Sequence, residues 1–113
     1  MNYLRYEIFK DQRGEYRFNL LDTNYKIILT ASEGYVNKAD CKTAIGICQA
    51  NSPYDTYYDK RTTTSAKYYF TLRSSNGRDI GRSEDYNTSA GRDEGIKNVK
   101  RDGPTKNVFD KTV

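Results

Sequence analysis

The tetrapeptide Ser-Glu-x-Tyr occurs twice in this chain, as Ser32-Glu33-Gly34-Tyr35 and as Ser83-Glu84-Asp85-Tyr86. A carboxylate two residues from a phenol can orient or deprotonate a bound group, so these sets are the first to weigh for chemistry. The residues that usually complete such a site are missing. The chain has no histidine, which removes the commonest general base, the triads built on it and most zinc or iron sites. Gly77, Gly81 and Gly91 are scattered, and none opens a phosphate-cradling loop. Cys41 and Cys48 stand seven positions apart in a helical pattern, about 10 Å along the axis and beyond disulfide reach. They read as buried thiols rather than a metal or redox pair. No catalytic residue, cofactor or metal is therefore expected. A motif duplicated with the fold serves the fold first: Ser32, Glu33, Ser83 and Glu84 satisfy turn amides while Tyr35 and Tyr86 pack over a helix start.

Two further groups could bind rather than react. Arg17, Asn19, Tyr69, Thr71 and Arg73 fall on the polar side of alternating strands, where guanidinium and aromatic groups can stack single-stranded bases. The competing reading is a solvated antiparallel face dressed with strand formers. Lys97, Lys100 and Arg101 cluster at a helix end, which suits either a phosphate contact or the helix dipole. The net charge of +4 is modest for a dedicated nucleic-acid binder.

The elements that must carry these residues are written twice. At an offset of 52 positions, Tyr16, Phe18, Leu20, Asn24 and Ile28 fall on Tyr68, Phe70, Leu72, Asn76 and Ile80. From Ser32 on Ser83 to Pro53 on Pro104 the offset is 51. The first copy thus carries one extra residue between Ile28 and Ser32, as a β-bulge would require. Strands are expected at 6–11 and 15–22 with a turn at Gly14, then a third over 26–32. Asn37 and Thr88 are positioned to cap two helices. Cys41, Ala44, Ile45 and Cys48 make the apolar stripe of the first. Gly95 replaces Ala44 in the second, which predicts a close packing contact. Pro53 and Pro104 stop the helices, and each is followed by a short strand. The eleven tyrosines supply apolar area that the sparse aliphatic residues do not.

The segments YEIFKDQRGEYRFNLLDTN, SEGY followed by KADCKTAI, and SEDY followed by GIKNVK resemble the YegP-like family, small bacterial proteins built from a domain of unknown function. The resemblance implies an α+β fold of tandem β3-α-β units. Together these form one antiparallel sheet with exchanged C-terminal strands and two helices packed on one face. The chain departs from the family at Tyr25, where a glycine is usual, and at Arg92, where the helix commonly has cysteine. The family brings no agreed catalytic residues.

The expected object is a single domain over 1–113, with repeats at 1–63 and 57–113 sharing the strand near 56–61. It is expected to be a cytoplasmic monomer, with no signal-like apolar run near the start and no membrane span. Its expected role is a non-enzymatic interaction module for a protein or small ligand, acting through the open sheet face or edges. The alternative is weak single-stranded nucleic-acid binding.

Overall fold

The computed structural model describes residues 2–113. The chain runs β1 (Arg5–Lys10), β2 (Tyr16–Leu21), β3 (Ile27–Ala31), α1 (Lys38–Asn51), a single 3-10 turn (Asp55–Tyr57), β4 (Tyr58–Thr62), β5 (Tyr68–Arg73), β6 (Asp79–Arg82), α2 (Ser89–Asp102) and β7 (Val108–Asp110). One sheet takes the order β4-β5-β6-β3-β2-β1-β7. Each strand alternates, so Tyr6 and Ile8, Phe18 and Leu20, and Phe70 and Leu72 turn to the helices and are fully buried. The stripe on α1 and its counterpart Gly95, Ile96 and Val99 on α2 are buried over that face. Roughly 1.5–3 kcal/mol accompanies each large side chain so covered.

The two units meet at β3 and β6, joined by Thr30 opposite Arg82 and Ala31 opposite Gly81. The seam is tight: a Cβ on Gly81 would come within 2.7 Å of the Leu29 side chain. Each helix crosses from its own unit to deliver a strand to the far edge. Thus β4 pairs with β5, while β7 returns to β1. All pairings are antiparallel except β1 with β7, which is parallel, with Tyr6 opposite Val108 and Ile8 opposite Asp110. The crossing is fastened at both helix ends by tyrosine. Tyr6 Oη donates to the Gly103 carbonyl at 2.7 Å, and its repeat equivalent Tyr58 donates to the Ser52 carbonyl at 2.7 Å. Each hydroxyl satisfies a carbonyl at a helix C-terminus.

Two local expectations change. The bulge is present in both copies, because the pairing slips at Leu20/Leu21 and again at Leu72/Arg73, leaving Ile28 and Ile80 as the extra residues. It therefore does not account for the longer first copy. The two registers stay aligned through Thr30 and Arg82, so the added residue falls at the end of β3, on the approach to Tyr35. Asn37 begins α1 through its carbonyl, which accepts from the Asp40 and Cys41 amides, and its side chain makes no cap bond. Thr88 does cap through its side chain, accepting from the Gly91 amide at 3.0 Å. At the β2–β3 turn Tyr25 adopts φ 67°, the left-handed region where glycine is at ease.

Candidate functional site

Arg17, Asn19, Tyr69, Thr71 and Arg73 do share the sheet face away from the helices, alternating with Phe18, Leu20, Phe70 and Leu72. That face is a closed network rather than a free basic surface. Arg17 Nε is 2.9 Å from Asp11, and its Nη1 reaches the Ala31 carbonyl at 3.2 Å. Asn19 accepts from Thr30 Oγ1 at 2.8 Å. Arg61, on β4, makes a two-pronged contact with Asp79 at 2.8 and 2.9 Å and a third bond to Asp59 at 2.7 Å. Thr71 donates to the same Asp79 at 3.1 Å and is buried rather than solvated. The Tyr69 ring is covered by the Arg82 guanidinium, 4.1 Å from its centroid, and Arg82 also pairs with Asp85. Arg73 is the exception: among the described residues its guanidinium makes no ion pair, and its buried Nε has no acceptor. Bases or phosphates would have to displace these partners, which lowers what stacking and counterion release could return.

The duplicated motifs lie between the third strand of each unit and the helix that follows. Glu33 reaches across to Arg78 in the β5–β6 turn at 2.6 Å, and Glu84 reaches Lys26 in the β2–β3 turn at 3.3 Å. The offsets match, so one ion pair is built twice, each time from one unit to the other. Ser83 Oγ accepts from the Phe70 amide at 3.0 Å and donates to the Glu84 carbonyl at 2.8 Å, whereas Ser32 uses its amide on the Ile80 carbonyl. Tyr35 and Tyr86 exchange backbone hydrogen bonds with Tyr16 and Tyr68. Burial, reinforced by the adjacent glutamate, pushes both phenols up to about 12. Tyr35 borders a cavity of about 350 Å³ with Glu33, Asp40 and Arg78, and its hydroxyl is buried without a partner. Glu33, the carboxylate of the motif itself, already holds Arg78. Among the described residues no cluster of three or more Cys, Asp or Glu side chains could hold a metal ion.

The cations at the end of α2 are also engaged. Lys100 pairs with Asp55 at 2.7 Å, Arg101 with the buried Asp102 at 2.8 Å, and Lys97 lies 3.9 Å from Glu94. Lys97 and Lys100 do not stand alone, however. With Lys60, Tyr58 and Ile96 they line a groove of about 440 Å³ between α2 and β4.

Beside that groove β4 ends the sheet. Its outward groups follow from the ladder. Phe70 uses its N–H and C=O on Ser83, so Lys60, opposite Phe70, turns both of its own away from β5. The Tyr58 amide is already taken by the Asp55 carbonyl in the 3-10 turn. On the other edge, β1 uses the matching positions to hold β7: Tyr6 N–H donates to the Asn107 carbonyl, and Lys111 N–H to the Ile8 carbonyl, both at 2.9 Å. Lys60 was not among the residues that the sequence nominated. Its signal was available in the repeat, where a lysine stands in the place of the inward Ile8.

The family model described as a domain of unknown function (DUF1508) matches twice, over residues 11–59 and 64–110. A UPF0339 protein of Bordetella pertussis is 41% identical over 107 residues, 95% of this chain and 96% of that protein. The UPF0339 protein YegP of Escherichia coli (strain K12) is 36% identical over 107 residues, 95% of this chain and 96% of that protein. The solution NMR structure of yegP from E. coli, described as a protein of unknown function, superposes with a TM-score of 0.90 at 33% identity, covering 98% of this chain and 95% of that one. The UPF0339 protein SO3888 of Shewanella oneidensis gives 0.87 at 36% identity, covering 94% and 89%.

Proposed function

This chain belongs to the DUF1508 family of domains of unknown function, the YegP-like proteins, and on that premise we propose that it is a non-enzymatic interaction module whose working surface is the outer edge of β4. A single observation carries this reading. The repeat makes β1 and β4 equivalent, yet β1 has a strand on its outer side and β4 has an unpaired edge over a groove. An open edge binds an extended segment through main-chain hydrogen bonds, with side-chain pockets supplying selectivity. The module works as a monomer, because its two units already bury each other's faces. The open sheet face is the weaker candidate, since its cations other than Arg73 are matched internally, and that leaves single-stranded nucleic acid little free charge to engage.

The test is selection of binders from a displayed library of linear peptides, followed by backbone amide exchange on the complex. Added protection at the Lys60 and Thr62 amides, with that at Thr62 lost in Lys60→Pro, is the expected result. Proline there removes an outward N–H that β5 does not use, so the ladder survives. Selected peptides that leave β4 exchanging as in the free protein, or a selection that recovers none, would overturn the reading.

A further inference from the structure

We infer that the segment accepted by β4 is an acidic extended stretch of a partner protein, running parallel to β4 and placing a carboxylate beside Lys60. This rests on the edge reading above and adds the partner's direction, register and charge.

Direction and register come from the filled edge. There β7 runs parallel to β1, with Val108 opposite Tyr6 and Asp110 opposite Ile8. The Asp110 side chain turns to the helix layer, where Lys38, the first residue of α1, holds it at 2.7 Å. The repeat carries Tyr6 to Tyr58 and Ile8 to Lys60. An incoming strand in the equivalent place would therefore set one residue over Tyr58 and the next on that face over Lys60, near the start of α2.

Charge comes from what changes between the two edges. Ile8 and Gln49, which line the filled edge, become Lys60 and Lys100 at the open one, where Lys97 joins them and Asp93 takes the place of Lys42. At the same time Lys38 becomes Ser89, so the cation available to a carboxylate at the Asp110 place moves from the helix to the strand. Lys60 and Lys100 are currently held by exposed acids: Asp93 at 3.2 Å, and Asp55, whose side chain is 83% exposed. Exposed pairs of this kind are weak and easily exchanged. The start of α2 adds the positive end of a helix dipole on the same side. A neutral segment would leave these lysines no better satisfied than before, so the groove selects for acid.

The probes are two synthetic peptides, tested by fluorescence anisotropy and amide exchange against the whole chain. One carries the Val-Phe-Asp order of β7 with glutamates in place of its flanking lysines; its twin has Asn and Gln at every acid. The acidic peptide should protect the Lys60 amide and bind on the order of tenfold tighter than its twin, the ratio one charge-assisted hydrogen bond gives. The preference should fall with added salt and vanish in a Lys60→Gln, Lys100→Gln variant that keeps the amide spectrum of the parent elsewhere. Equal binding of the twins at Lys60 overturns the acidic class and leaves the edge reading standing. Neither peptide binding while the library yields others has the same meaning. Protection of β4 that rises with protein concentration alone would assign the slot to a second copy of the chain and overturn the partner assignment.

Discussion

The Tyr86 hydroxyl occupies the space that a side chain on Gly95 would need, with the ring carbon bearing it 2.7 Å from where a Cβ would lie. Alanine would gain about 1 kcal/mol in helix propensity over glycine, but forcing an atom into this contact costs roughly 1–3 kcal/mol. The clash wins, because the Tyr86 ring is packed against the core and its main chain is fixed by two bonds to Tyr68. Gly95→Ala should lower the unfolding free energy by about 1 kcal/mol or somewhat more. Gly46, exposed on α1 with nothing near its missing Cβ, is the control. Gly46→Ala should raise it by about 0.5–1 kcal/mol. Urea melts of the two variants give opposite signs.

Cys41 and Cys48 are free and buried. Burial lifts the Cys41 thiol to about 11, with Asp110 adding to the shift, and lifts Cys48 further. Neither should react with a thiol reagent at neutral pH until denaturant is added, when both should. The native state holds these protons more tightly than the unfolded chain does. Their linkage therefore leaves stability unchanged below an ordinary thiol pKa near 8.5 and removes it as pH rises from there toward 11. Rapid labelling of Cys41 in the native protein at neutral pH would contradict this.

Lys38, followed by Thr112, draws the Asp110 carboxyl well below the ordinary aspartate range. A depressed carboxylate stabilises above its unfolded pKa, about 3.9, and that contribution is lost as pH falls through the folded value. Acid should therefore loosen β7 before the rest of the sheet, read as faster exchange of the Lys111 amide, which bonds to Ile8. Asp110→Asn should produce the same loosening at neutral pH. Unchanged Lys111 exchange in both would show that the ion pair does not hold the strand.

Residues 1–63 contain β1, β2, β3, α1 and β4 but lose β7 from β1, β6 from β3 and β5, the one partner of β4. Two exposed strand edges, an unpaired β4 and half a core cannot offset the ordering entropy of the segment. Expressed alone, this fragment should be unfolded or dimeric by ultracentrifugation. A stable folded monomer would count against the interlocking of the units.

Much of this molecule was readable from spacing. The stripe Cys41, Ala44, Ile45 and Cys48 is buried as its period required, and the tightness implied by Gly95 is real, though the sequence could not name Tyr86 as the neighbour. The bulge was read from a length difference and placed in one copy, because alignment counts residues and not hydrogen bonds. The open face was read as solvated from alternation alone. Alternation says which way Thr71 points, but not that Asp79, Arg61 and Arg82 gather around that part of the sheet. Lys60 escaped notice because an exposed lysine in a short strand is unremarkable until the strand proves to lie at the edge of the sheet.

By itself the sequence determined two copies of one unit, their strands and helices, and the inward side of each, since periodicity and repetition are local properties of the chain. Tertiary structure alone decided which edge β7 would fill, which charges would cancel across the sheet, and that β4 would be left unpaired. Those outcomes depend on contacts between residues as far apart as Tyr6 and Gly103. Such contacts exist only once both helices have crossed the sheet and each has set its final strand against the opposite unit.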